Sequence, residues 1–197
     1  MSEMMIRCAI VLAMLSPLTG VESAVSRDAV LEQMSKSHVL ALRNGANDVD
    51  LDGDGRVDLV FVARRLNGNA HSYDRLTFYR RGAASEANWQ LVPFLDARET
   101  AEEDSLRTLE GADCDLRSVV VLGVKQDGPV SVVVGERELG ESFAESAKVH
   151  FLVYTLTRNE DGIPGWPPVY FKLTATIDGK SKHCDIHEAF ASELGVR

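Results

Sequence analysis

The strongest local signal in the sequence is the acidic stretch Asp48-Val49-Asp50-Leu51-Asp52-Gly53-Asp54-Gly55-Arg56-Val57-Asp58, which an apolar run follows to Ala63. Oxygen atoms at every second residue can converge on one hard cation, and Gly55 falls where such a loop must turn sharply. We therefore predict one calcium ion (Ca2+) as the cofactor. The predicted ligands are the carboxylates of Asp50, Asp52, Asp54 and Asp58 and the backbone carbonyl of Arg56.

The residues around the loop distinguish it from an EF-hand. No Glu occurs from Asn47 to Arg65, so the bidentate Glu of an EF-hand is missing, and a strand rather than a helix is predicted to follow. The loop is closer to the calcium loops of FG-GAP-type β-repeats, in which a single ion usually fixes a turn. The alternative is a polar turn whose acids are incidental.

Beyond the loop, apolar residues recur with a period of two, which predicts β-strands. The strand 57–63 is apolar on both faces and is expected to be central. The turn Asn67-Gly68-Asn69 predicts a hairpin with 75–81 as the returning strand. Further strands are predicted at 89–95 with a break at Pro93, and at 117–124, 130–139, 148–158 and 169–178, where Asp178-Gly179-Lys180 marks a turn.

Helical spacing and capping residues predict three helices, at 26–43, 100–111 and 185–194, with Gly195 as the stop of the last. The predicted fold class is therefore α+β: a predominantly antiparallel β-sheet, either a sandwich or a curved sheet, with an N-terminal helix and a short C-terminal helix.

The N-terminus has the pattern of a signal peptide. Arg7 precedes an apolar run too short to span a bilayer, and small residues before Ala24 suit a signal peptidase. We predict a signal peptide at 1–23 and a single β-rich calcium-binding domain at 24–197, placed in the periplasm or secreted. The alternative is a buried N-terminal helix. No membrane span is predicted after signal cleavage.

Charge and cysteine content narrow the partners and the compartment. The formal net charge of −9 argues against nucleic acid. Cys8 would leave with the signal peptide, so Cys114 and Cys184 would remain as one pair, and a disulfide is the default in an oxidising compartment. Two free thiols or a metal site are the alternatives.

The chain resembles the CarG family of bacterial carbapenem intrinsic-resistance proteins. The resemblance rests on the run from Ala46 to Gly55, on Asp58-Leu59-Val60-Phe61, and on Asn69-Ala70-His71-Ser72-Tyr73-Asp74 with Thr77-Phe78-Tyr79. It implies a periplasmic factor that protects a carbapenem producer from its own antibiotic by a route other than hydrolysis.

The motifs of known β-lactamases are absent, and we predict that the chain is not an enzyme. No Ser is followed by Lys at the Ser-x-x-Lys spacing, Lys-Thr-Gly is missing, and the five His residues form no His-x-His-x-Asp motif. His71 and Trp166 are candidate functional contacts, although a structural role is the simpler interpretation of each. His183 and His187 would share a face of a helix and could hold a metal, but no third ligand is evident.

Three hypotheses follow from these observations. The first is an exported, non-enzymatic resistance factor whose partner is a carbapenem or its periplasmic target. The second is a calcium-stabilised binding or adhesion module unrelated to β-lactams, and the third is a hydrolase of unfamiliar type. A homodimer is the assembly to test.

Overall fold

Two β-sheets lie face to face, and two helices cover the far side of the larger sheet. The computed structural model describes residues 26–69, 71–82, 88–124 and 128–196, so the predicted signal peptide at 1–23 lies outside the described residues. The helices are α1 (Arg27–Ser35) and α2 (Ile186–Leu194). In chain order, the strands are β1 (Ser37–Val39), β2 (Gly45–Val49), β3 (Asp58–Arg65), β4 (Tyr73–Arg81), β5 (Trp89–Leu91), β6 (Phe94–Leu95), β7 (Glu102–Glu103), β8 (Leu106–Arg107), β9 (Arg117–Val124), β10 (Ser131–Arg137), β11 (Ala147–Arg158) and β12 (Val169–His183).

The larger sheet has the strand order β1-β9-β10-β11-β12-β6-β7, and its centre is the predicted antiparallel meander β9 to β12. Only β6 joins β12 in the parallel sense among the described pairs. The smaller sheet has the order β2-β3-β4-β5, with β8 also paired to β4. The fold is therefore α+β with mainly antiparallel sheets, as predicted.

The first hydrophobic core fills the space between the sheets. Leu51, Val60, Phe78 and Phe171 are fully buried in it. Phe94 stacks on Phe171 with ring centroids 4.8 Å apart, and Phe78 meets Phe171 edge-on at 5.2 Å. Side chains alternate along each strand, so β3 and β4 turn one face to this core and the other to solvent.

The second core lies between the larger sheet and the helices. Phe151 of β11 packs against Phe190 of α2 at 5.3 Å between ring centroids. A Cβ at Gly135 would lie 2.9 Å from both Ile186 and Phe190, so glycine there allows α2 to approach β10. Asp185 caps α2 and Gly195 ends it with a left-handed backbone, which confirms the predicted C-terminal helix.

Three local predictions are wrong, the first being the length of the N-terminal helix. The predicted helix 26–43 ends at Ser35, and Ser37–Val39 pairs instead with Leu122–Val124 of β9. The backbone N–H of Leu40 continues the pairing by donating to the Val121 carbonyl at 2.9 Å. The backbone groups at the edge of β9 thus outweigh the helical spacing of this segment.

The predicted helix 100–111 is also wrong, because the segment holds β7 and β8. Leu106 of β8 pairs with Leu76 of β4 in the smaller sheet, and its side chain is buried in the core between the sheets. Because Leu106 is the one deeply buried residue in this segment, a helix here would have no continuous apolar stripe to pack against the core.

The predicted turn at Asp178-Gly179-Lys180 is the third error, because β12 runs through it to His183. The register with β11 shifts here, and a Cβ on Gly179 would lie 2.9 Å from the Val149 carbonyl oxygen. This glycine therefore serves a close backbone approach at an irregularity, not a turn.

Candidate metal centre and ligand cavity

The Asp loop, residues 50–57, connects β2 to β3 at one end of the smaller sheet. Gly53 and Gly55 have positive φ angles of 73° and 80°, which agrees with the sharp turn predicted at Gly55. Leu51 anchors the loop, since its side chain is fully buried between the sheets and its carbonyl accepts a 2.9 Å hydrogen bond from the Val130 N–H. The loop is therefore fixed to the core at one residue while its acids face one another.

Asp50 and Asp58 organise the backbone of the loop. Asp50 Oδ1 accepts a hydrogen bond from the Gly53 N–H at 2.8 Å, and its Oδ2 accepts one from the Gly55 N–H at 2.8 Å. Asp58 is 2% exposed and accepts from the N–H groups of Leu51 and Arg81. Burial raises the pKa of Asp58, although these two N–H groups act in the opposite direction.

Asp52 joins the loop to two distant arginines. Its Oδ2 lies 2.8 Å from Arg80 Nε on β4 and 2.7 Å from Arg158 Nη2 at the end of β11. The Asp52 side chain is 2% exposed, so burying its charged carboxylate without these two arginines would destabilise the folded state. Sequence analysis missed both arginines, and no sequence signal links them to a loop 28 and 106 residues away.

Asp54 is bound by the arginine two residues after it. Its Oδ2 accepts from Arg56 Nη2 at 2.6 Å, and the hydrogen bond with Arg56 lowers the pKa of Asp54 to about 2. The Asp54 carboxylate is thus turned to a guanidinium, with Arg80 Nη2 a further 3.4 Å contact.

The loop as a whole offers an oxygen site for one cation. Ligand oxygens of Asp50, Asp52 and Asp58 all lie within 4.8 Å of one another. They fit a hard ion, which prefers carboxylate and carbonyl oxygen. Asp54 stands outside this group, and both its participation and that of the Arg56 carbonyl stay predictions.

Cys114 and Cys184 form the predicted disulfide. Their Cα atoms are 5.2 Å apart, and the bridge joins the segment before β9 to the start of α2 across 70 residues of sequence. A disulfide fits a protein of an oxidising compartment. Neither described helix is long and apolar enough to cross a membrane.

His71 and Trp166, the candidate contacts, lie on loops and touch other aromatic residues. The ring of His71 is 5.6 Å from that of Phe143, and its Nδ1 is 3.4 Å from the Glu110 carbonyl oxygen. Trp166 is half-buried against Tyr170, with ring centroids 6.0 Å apart. Their roles as contacts stay predictions.

The proposed pairing of His183 and His187 on one helix face is wrong, because His183 belongs to β12 and only His187 to α2. His183 faces Glu193 at 3.5 Å, whereas His187 lies 3.5 Å from Asp115. Burial raises the pKa of Asp115, and the nearby Asp185 adds to the effect. Asp115, Asp185 and His187 form a second group of oxygen and nitrogen atoms within 4.8 Å.

A cavity of about 520 Å³ opens beside this second group. Its floor is apolar, with Leu42, Leu76 and Val119 among its lining residues, and Asp115 and His187 also line it. Its volume is in the range of small-molecule sites. Sequence analysis did not predict the cavity, because its walls come from both sheets and from α2.

Comparison with known proteins gives one family and one structure. The family described as "Carbapenem resistance protein CarG-like" matches residues 42–192. A structure titled "Crystal structure of CarG" superposes with a TM-score of 0.66 at 20% sequence identity, covering 78% of this chain and 94% of that one. At this identity the superposition supports the fold alone. No curated protein matches.

Proposed function

This chain belongs to the CarG-like family of carbapenem resistance proteins, and from that membership we propose that it is an exported, non-enzymatic factor that protects cells from carbapenems. The family match over residues 42–192 carries the proposal, since it spans most of both sheets and α2. Protection would come from binding the drug or its periplasmic target. The disulfide supports export, because such bonds persist outside the cytoplasm.

Calcium would have a structural role in this proposal. Asp50, Asp52 and Asp58, with Asp54 and the Arg56 carbonyl as further donors, would hold the ion. Bound there, the ion would neutralise the loop acids and fix the end of the hairpin. Arg80, Arg158 and Arg56 already offset part of the negative charge of these carboxylates. Because Leu51 of the same loop is buried in the core, a loop without the ion would also disturb the packing of the core.

The cavity beside His187 is the candidate site for a drug. Asp74 and Glu110 on its rim are paired with Arg64, at 3.5 Å and 2.6 Å, so these two carboxylates are partly neutralised. His187, 3.5 Å from Asp115, and Arg117, 3.1 Å from Glu136, are the lining groups that could meet the carboxylate of a carbapenem. A compact bicyclic molecule fits the volume, and the apolar floor would cover its ring carbons.

The proposal is tested by expressing the chain, with its own N-terminus, in a susceptible host and measuring carbapenem susceptibility and drug concentration in the same cultures. We expect protection without accelerated loss of the drug. Protection with loss that follows the purified protein would show a hydrolase. Absence of protection from a correctly exported, folded chain would favour a binding module unrelated to β-lactams.

A variant with a filled cavity separates the two modes of protection. Ala191 lines the cavity from α2, and Ala191→Phe would occupy part of the volume. Ser192→Phe, on the adjacent residue outside the lining, is the control for a bulky change in the same helix. If the drug binds in the cavity, only the first variant loses protection while both remain folded.

A further inference from the structure

The outer face of the smaller sheet carries four arginines on a protein whose formal net charge is −9. Strand register places them on one side: Arg65 is opposite Tyr73, Arg75 is opposite Arg107, and Arg81 is opposite Trp89. The neighbouring residues in each strand, such as Val60, Leu76 and Phe78, point into the core instead. We call the face defined by Arg65, Arg75, Arg81, Arg107, Phe61 and Trp89 the arginine face.

None of these four guanidinium groups forms an ion pair with a carboxylate in the described part of the chain, although six other arginines do. Arg81 lies over the ring of Trp89 at 4.9 Å, and Arg107 lies over Tyr73 at 5.2 Å. Glu103 and Asp104 border a groove shared with Arg75 and Arg107 without pairing with either. The positive charge is therefore free to meet an external anion.

Apolar side chains are exposed between the arginines. Phe61 is 41% exposed, Trp89 46% and Leu91 37%, and no described element covers them. Exposed apolar residues grouped on one face indicate an interaction surface. Exposed Trp and other apolar side chains are stabilised at the boundary between lipid headgroups and acyl chains, where Trp is favoured.

The shape of the face suits an extended surface. Arg75 and Arg81 are six residues apart on β4, about 20 Å along the strand, so their charges are spread beyond the reach of one small ligand. The rest of the molecule carries a net negative charge, which favours the approach of this side to an anionic surface.

We propose that the arginine face docks peripherally on an anionic lipid surface, with its arginines against phosphate groups and Phe61, Trp89 and Leu91 in the headgroup region. This inference is independent of the carbapenem proposal, since it uses neither the cavity nor the Asp loop.

Vesicle sedimentation tests the proposal. The folded chain without residues 1–23 is mixed with vesicles of phosphatidylcholine and phosphatidylglycerol in equal parts, or of phosphatidylcholine alone. We expect binding to the anionic vesicles only, weakening as salt rises. Arg75→Gln with Arg107→Gln should lower the partition coefficient about thirtyfold, from the usual contribution of a basic residue near an anionic surface.

The matched control is Lys148→Gln with Lys182→Gln, which removes two charges that are also opposite each other, but in the larger sheet. Its binding should stay near that of the wild type. Trp166→Phe leaves Trp89 as the one tryptophan, and its emission should shift to shorter wavelength on anionic vesicles.

Three results would overturn the proposal: equal sedimentation with both vesicle types, an equal loss of binding in the lysine control, or an unshifted Trp89 emission at saturating lipid. Tight binding to single-stranded DNA or a sulfated glycan in place of vesicles would assign the face to another polyanion and would also overturn it. Melting curves of each variant establish that the folded state is retained.

Discussion

Arg158 Nη2 lies 2.7 Å from Asp52 Oδ2, and this contact ties the Asp loop of the smaller sheet to the last residue of β11 in the larger one. Arg80 meets the same oxygen at 2.8 Å. The two sheets are thus joined at this end by a buried carboxylate shared between two guanidinium groups, in addition to the apolar core between them.

Asp52→Ala should destabilise the protein in the presence of a chelator by about 2 to 3 kcal/mol, because it removes the buried carboxylate that Arg80 and Arg158 share. Denaturant unfolding measures the change. Asp161→Ala, at an exposed position, should have little effect. A double-mutant cycle with Arg158→Ala should give a coupling energy well above zero, and additive effects would show that the pair contributes nothing.

Reduction of the Cys114–Cys184 bridge should also destabilise the protein. The bridge spans 70 residues, for which the loop-entropy model gives about 4 kcal/mol. Unfolding with and without reductant measures the loss. Cys114→Ser with Cys184→Ser should match the reduced wild type and should not respond to reductant. Two thiols that react in the unfolded, unreduced protein would contradict the bridge.

Acid should weaken the attachment of α2 through Glu193. Burial acts to raise the pKa of Glu193, but the N–H groups of Lys180 and Ser181, with His183 and Arg27, outweigh it and lower the pKa from 4.5 to about 2. Because the carboxyl pKa is lowered in the folded state, Glu193 stabilises that state fully above pH 4.5, and this stabilisation is lost as the pH falls towards 2.

Glu193→Gln should therefore flatten the dependence of the unfolding free energy on pH in that acid window. Glu188→Gln, an exposed change on the same helix, should leave the wild-type dependence. Parallel pH profiles for the wild type and Glu193→Gln would contradict the assignment. The same carboxylate explains why β12 continues past Gly179, since it satisfies the N–H groups of Lys180 and Ser181 at 3.0 Å and 2.8 Å.

Features encoded by neighbouring residues could be predicted from the sequence. The turn at Gly55, the hairpin of β3 and β4, and the caps Asp185 and Gly195 each depend on local backbone preference. The disulfide followed from the cysteine number once the predicted signal peptide removed Cys8 and placed the chain in an oxidising compartment. The meander followed from short β-branched runs between turn residues.

Features that depend on distant residues could not be predicted. Nothing near Arg80 or Arg158 in sequence indicates Asp52, and Leu106 pairs with β4 because a free strand edge exists there. Ser37–Val39 became a strand for a similar reason, at the edge of β9. Glu193 lies 14 residues after Gly179 and accepts hydrogen bonds from the two residues that follow this glycine, Lys180 and Ser181. Local propensity does not detect such a distant partner.

Calcium should stabilise the folded state through the Asp loop. Binding to the folded state alone adds about 2.7 kcal/mol at a hundredfold excess of ion over Kd. A chelator should therefore lower the Tm, and calcium should restore it more fully than magnesium, which demands a stricter geometry. Asp50→Ala removes a carboxylate of the group Asp50, Asp52 and Asp58, so the Tm of this variant should not respond to chelator. Arg158→Ala is the matched variant, because it removes one of the two guanidinium groups from Asp52 Oδ2 without removing an oxygen donor, and it should keep the calcium response. Titration calorimetry of the wild type should detect one ion per chain. Identical melting with calcium and with chelator, together with no heat of binding, would reduce the loop to an acidic turn neutralised by Arg56, Arg80 and Arg158.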